Sequence, residues 1–147
     1  MDVSRVTLGD KISVGSALLL LATLLLLPWH QVFSFSIPAV DSPGGGWGQL
    51  AALLVIAIVV TTVLRRFTAT AFSSLPVPIG LANLAASGAV VALLVLKLAL
   101  DPTFLGFGAF LAIGLAGAMA AGAFLGKDET DEAPPVGSDP SRPPTPF

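Results

Sequence analysis

Four side chains of the 147-residue chain could act together on a polar solute: Asn83, Ser87, Lys97 and Asp101. Their offsets of 0, +4, +14 and +18 put them within a sector of about 80° on a helix that turns ~100° per residue. Polar groups facing lipid are costly, so such a stripe should look into a helix bundle, where it could line a pathway or cleft for an ion or polar solute. A local account needs less. Asn83 would hydrogen-bond a neighbouring helix, while Lys97 reaches the aqueous interface and pairs with Asp101. The apolar interval between the two halves of the stripe, with Val90 and Leu94, suits the local account.

Gly114, Ala118, Gly122 and Gly126 recur every four residues. Missing side chains let a second helix backbone approach closely, either within one bundle or between copies of the chain. His30 is the single histidine, and no second type of metal ligand lies near it in sequence. A metal normally takes three or four ligands, so His30 is read as an interfacial residue. Cysteine and tyrosine are absent, which excludes disulfides and thiolate chemistry and leaves a short menu for general acid–base work. No nucleophile–base pair can be assembled. The sequence therefore assigns no catalytic, metal-binding or cofactor-binding residue, and no cofactor.

The elements that must position these residues are apolar. Hydrophobic residues make up 54% of the chain and charged residues 11%, too little charge to cover a soluble domain, which usually carries about 25%. Four apolar stretches stand out: 12–29, 47–64, 79–100 and 104–125. At about 1.5 Å per residue each approaches the ~30 Å hydrocarbon core of a bilayer. The first two carry no charge and no polar face. Arg5 and Lys11 before an apolar run also resemble a cleavable signal, but Ser34 and Ser36 make a poor cleavage site and three more spans follow. Thr7-x-x-Asp10 resembles a capping box at the start of span one.

Orientation follows from lysine and arginine. Arg5, Lys11, Arg65, Arg66, Lys127 and Arg142 fall on one side of a four-span chain, and Lys97 alone falls toward the other. The positive-inside rule places the six, and both termini, in the cytoplasm. Arg65-Arg66 serves as a topology anchor and could also meet anionic lipid. Trp29 and Trp47 then sit at the outer interface, flanking a loop whose piece Val32-Phe33-Ser34-Phe35-Ser36-Ile37 could be a short strand or a membrane-hugging segment. The second outer connection is hardly more than Asp101-Pro102.

Residues 127–147 differ in kind: an acidic run, Asp128 to Glu132, then a proline-rich stretch that cannot offset its ordering entropy and is expected to be disordered. It holds a PxxP pattern at Pro140–Pro143 and exposed candidates for phosphorylation in Thr130, Ser141 and Thr145.

Gly9-Asp10-Lys11, followed by an apolar run ending Leu27-Pro28-Trp29, is similar to small four-helix membrane proteins of actinobacteria. The resemblance implies a bacterial cytoplasmic membrane protein and carries no activity with it. The expected fold is an all-α, four-helix transmembrane bundle over 1–126 with N-in, C-in topology. The expected function is that of a non-enzymatic accessory or interaction subunit. Its partners would be the lipid bilayer and either a larger membrane protein or its own copies, with no nucleic acid. The alternative is a small transporter or channel subunit using the span-three stripe. Permeation usually needs more intramembrane polar groups than one Asn and one peripheral Lys.

Overall fold

The computed structural model describes residues 7–41, 45–67 and 78–127, apart from the side chains of 45 and 65–67. The tail beyond 127, with its expected disorder, PxxP pattern and candidate phosphorylation sites, lies outside the described residues. So do Arg5, Arg142 and the side chains of Arg65 and Arg66. The elements run α1 (Leu8–Leu26), β1 (Pro28–Val32), β2 (Phe35–Pro38), α2 (Gly45–Phe67), α3 (Ile79–Leu100) and α4 (Phe107–Gly126). All four helices are long and apolar enough to cross a membrane.

Helix ends follow local chemistry. Thr7 caps α1: its hydroxyl oxygen accepts from the Asp10 N–H at 3.2 Å and its carbonyl takes the Lys11 N–H. The helix therefore starts a turn earlier than the apolar run. It stops at Leu26, short of Trp29, because a residue before proline is pushed out of the α region. Leu27 accordingly has φ −92° and ψ 147°, and Pro28 opens a strand. Prolines also bracket α3, with Pro78 at its N-cap and Asp101 before Pro102 at its C-cap. The connection to α4 is longer than Asp101-Pro102. Phe104 takes a left-handed φ of 53° and Leu105 pairs with His30, so α4 begins only at Phe107.

The helices form an up-and-down bundle in which α1 and α3 each pack against both α2 and α4. Gly9 meets Gly126, and Gly80 meets the backbone of Lys127, so α1 and α3 begin at the end where α4 finishes. Each helix buries a narrow seam at alternating spacings of three and four. In α3 it is Ser87, Val90, Leu94 and Lys97, and in α4 it is Ala109, Ala112, Ala116, Met119 and Ala123. Leu18, Leu19, Leu53, Leu81, Phe110 and Leu125 stay exposed, as befits helices whose remaining perimeter meets lipid. A close backbone approach between helices joins α1 to α4, where a Cβ on Gly122 would lie 2.6 Å from the Ser13 nitrogen.

Candidate functional site

Polar side chains gather at two depths. The first station is near the start of α3, at the Gly9–Gly126 end. Asn83 donates through Nδ2 to Thr62 Oγ1 at 3.0 Å, and its Oδ1 lies 3.0 Å from the Thr61 hydroxyl. Thr61 shares its single proton between Asn83 and the Ala57 carbonyl at 2.8 Å. Ser87 donates back to the Asn83 carbonyl at 2.8 Å and is thereby satisfied within its own helix. The arrangement clamps α2 to α3. Such bonds average about 0.6 kcal/mol in membrane bundles.

The second station caps the opposite end and depends on a β-bulge. β1 and β2 pair antiparallel with Pro28 opposite Pro38 and His30 opposite Ile37, leaving Trp29 as the extra residue. In an unbroken strand neighbours point to opposite faces. With the bulge, Trp29 and His30 are both buried, at 1% and 6% exposure. β1 also pairs on its other edge with the α3–α4 connection. The Gln31 N–H donates to the Phe104 carbonyl, and the Gly106 N–H to the Trp29 carbonyl, each at 2.8 Å.

Trp29 roofs Lys97. The ammonium lies 5.4 Å from the ring centroid, within cation–π range, and Lys97 is 1% exposed. The expected extension of Lys97 toward water is thus replaced by cover from an aromatic ring. His30 Nδ1 is 2.9 Å from the Thr103 carbonyl, which can only accept, so Nδ1 carries a proton. Its Nε2 faces Asp101 Oδ2 at 3.4 Å without the alignment of a hydrogen bond. Asp101 Oδ1 accepts from the Thr103 hydroxyl at 2.8 Å. The Trp29 indole nitrogen is buried without a hydrogen-bond partner.

Asn83, Ser87 and Lys97 therefore share the inward side of α3 and Asp101 follows as its C-cap, but the four serve two separate stations. Between them lie Val90 and Leu94 at 0% exposure, with Leu20, Val55, Ala116 and Met119 equally buried from the other three helices. The small-residue series on α4 divides. Gly122 and Gly126 pack against Ser13 and Gly9 of α1, Ala118 is half-buried, and Gly114 is exposed with open space where a Cβ would stand. Spacing of four residues drifts about 40° per step, so a series of this length cannot stay on one face.

Thr61, Thr62, Thr103, and the inward roles of Trp29 and His30 were not apparent from sequence. Thr61 and Thr62 had one available signal: they lie in the last turns of α2, as Asn83 lies in the first turns of α3. No three of His, Cys, Asp and Glu come together as a metal site among the described residues.

Fold and site together define a class: a helical membrane bundle of four spans, knitted at two depths by polar contacts and closed at one end by a β-hairpin. Comparison of the chain with protein-family models, curated proteins and solved structures finds no match.

Proposed function

We propose that the protein is a non-enzymatic integral membrane protein that works by association, as an accessory subunit of a larger membrane complex or of its own oligomer. The observation that carries this reading is the dry layer between the two polar stations. About 15 Å of α3 separates Ser87 from Lys97 at ~1.5 Å per residue, and the inward side chains between them, Val90 and Leu94, are fully buried and apolar. The polar groups hold helices and hairpin together and do not line a continuous path. A transporter needs such a path. Purification in mild detergent should retrieve a stoichiometric membrane partner or a defined homo-oligomer. Reconstituted native protein should carry no ion or solute flux. Flux abolished by Asn83→Leu in a stably folded variant would replace this reading with a transporter.

The membrane is proposed to be the cytoplasmic membrane of a bacterium, with both termini inside. The distribution of basic residues supports the orientation, and the Gly9–Gly126 contact brings Lys11 and Lys127 to one end of the bundle. The native chain has no cysteine, so single cysteines at Ser42, Ser74 and Ser138 report topology directly. In intact cells an impermeant thiol reagent should label position 42 and spare 74 and 138. The reverse pattern would invert the orientation.

A further inference from the structure

The hairpin is two-faced, and its apolar face is the one that meets the end of the bundle. Residues directly opposed in an antiparallel pair project to one side, and sides alternate along each strand. The pairs His30–Ile37 and Val32–Phe35 therefore share one face, and Gln31–Ser36 takes the other. His30 shows which face looks at the bundle, since its ring meets Thr103 and Asp101 at the end of α3. Gln31 and Ser36 accordingly point away from the bundle, toward water.

β1 leaves the end of α1 and crosses toward α3, with Trp29 over Lys97 and His30 beside Asp101. Cover is lost along that path. Exposure on the bundle-facing side rises from 37% at Ile37 to 79% at Phe35, and Phe33 at the turn reaches 96%. The tip is thus left uncovered on its bundle-facing, apolar side. Nearby, Leu100 at the end of α3 and Phe104 on the adjoining segment are also exposed. The turn itself departs from ordinary preference. Phe33 has φ 52° at the first central position of a two-residue loop, where glycine is the usual occupant. A large apolar ring is held there in place of the residue that would fit without strain.

We propose that the hairpin tip docks on phospholipid, inserting Val32, Phe35 and Ile37 into the interfacial layer of the leaflet beside α3 while Gln31 and Ser36 stay in water. Continuity with the membrane-spanning helices selects lipid as the occupant, because the apolar face is the side that meets the end of the bundle and loses cover toward the tip. A water-soluble partner would approach the opposite, polar face. The inference does not depend on the association proposed above.

Site-directed spin labelling of the full chain tests it. Single cysteines at 31, 32, 35, 36 and 37 are labelled and reconstituted in vesicles of phosphatidylethanolamine and phosphatidylglycerol. Collision with oxygen, which partitions into lipid, is compared with collision with a water-soluble nickel chelate. Labels at 32, 35 and 37 should favour oxygen and labels at 31 and 36 nickel, a two-residue alternation. Phe35→Cys is chosen because its side chain is 79% exposed, so its loss removes little packing. A label at 35 as open to nickel as one at 36 would place the tip in water and overturn the proposal. Shielding of 35 from both reagents would overturn it in favour of a second membrane protein, or a second copy, under the tip.

Discussion

Gly122→Leu should destabilise the bundle by about 3 kcal/mol, at the upper end of what overpacking costs. A Cβ there would stand 2.6 Å from the Ser13 nitrogen, 2.9 Å from the Gly9 carbonyl oxygen and 3.0 Å from the Ser13 Cα. All three are backbone atoms, so no side chain can swing aside and α1 must part from α4. Parting also relaxes the contact at Gly9, where a Cβ would lie 2.7 Å from the Gly126 nitrogen. Gly9→Ala and Gly122→Ala combined should therefore cost less than their separate losses added. Gly114→Leu is the control. Nothing lies within 4 Å of a Cβ there, and replacing glycine in a helix gains up to about 1 kcal/mol. Equilibrium unfolding in mild detergent reads all of these variants. Equal stability of the Gly122 and Gly114 variants would mean that the α1–α4 contact is not this close. A shift in oligomeric state with Gly114→Leu would instead mark that exposed position as an interface between chains.

The four helices are legible because a run of about twenty apolar residues has few alternatives in water or lipid. The bounds of α3 are legible as well, since Pro78 and Asp101-Pro102 punctuate both ends. Which side of each helix faces the core is not. Within a membrane the packed seam is not the more hydrophobic side. In α4 it consists largely of alanine and glycine, while Phe107, Phe110, Phe124 and Leu125 face outward. Hydrophobic periodicity, which finds the core side of a soluble helix, is silent here. The inward stripe on α3 showed because Asn83, Ser87 and Lys97 are polar, and polarity is the one signal that lipid exposure does not also satisfy.

The hairpin was hidden for a different reason. Its turn, Phe33-Ser34, contains neither the glycine nor the asparagine that marks a two-residue loop. Alternation over Val32–Ile37 hinted at a strand but could not reveal the bulge at Trp29, because a bulge depends on the partner strand. A tryptophan at the end of an apolar run reads as an interfacial anchor. Only the register turns it inward.

That inward turn makes Trp29 the residue whose loss should be felt most. Trp29→Ala is expected to cost about 3–5 kcal/mol, the range for truncating a fully buried large aromatic. Two effects add. The ring is 1% exposed, so its removal leaves a cavity between the bundle end and β1. The ring also roofs the Lys97 ammonium at 5.4 Å, a contact worth about 2 kcal/mol when desolvated. Part of the second loss is recoverable, because an uncovered lysine can extend to the interface. Trp29→Phe separates the effects. It keeps an aromatic face over Lys97 and removes an indole nitrogen that is buried without a hydrogen-bond partner. Its cost should stay below about 1.5 kcal/mol, because the lost volume is offset in part by the lost polar burden. Combining Trp29→Ala with Lys97→Ala in a double-mutant cycle isolates the ring–ammonium coupling, expected at about 0.5–2 kcal/mol. Denaturant titration in detergent micelles measures each variant. A Trp29→Ala protein as stable as the native one would mean that the hairpin does not close the bundle, and a coupling near zero would mean that the ring fills space without engaging the charge.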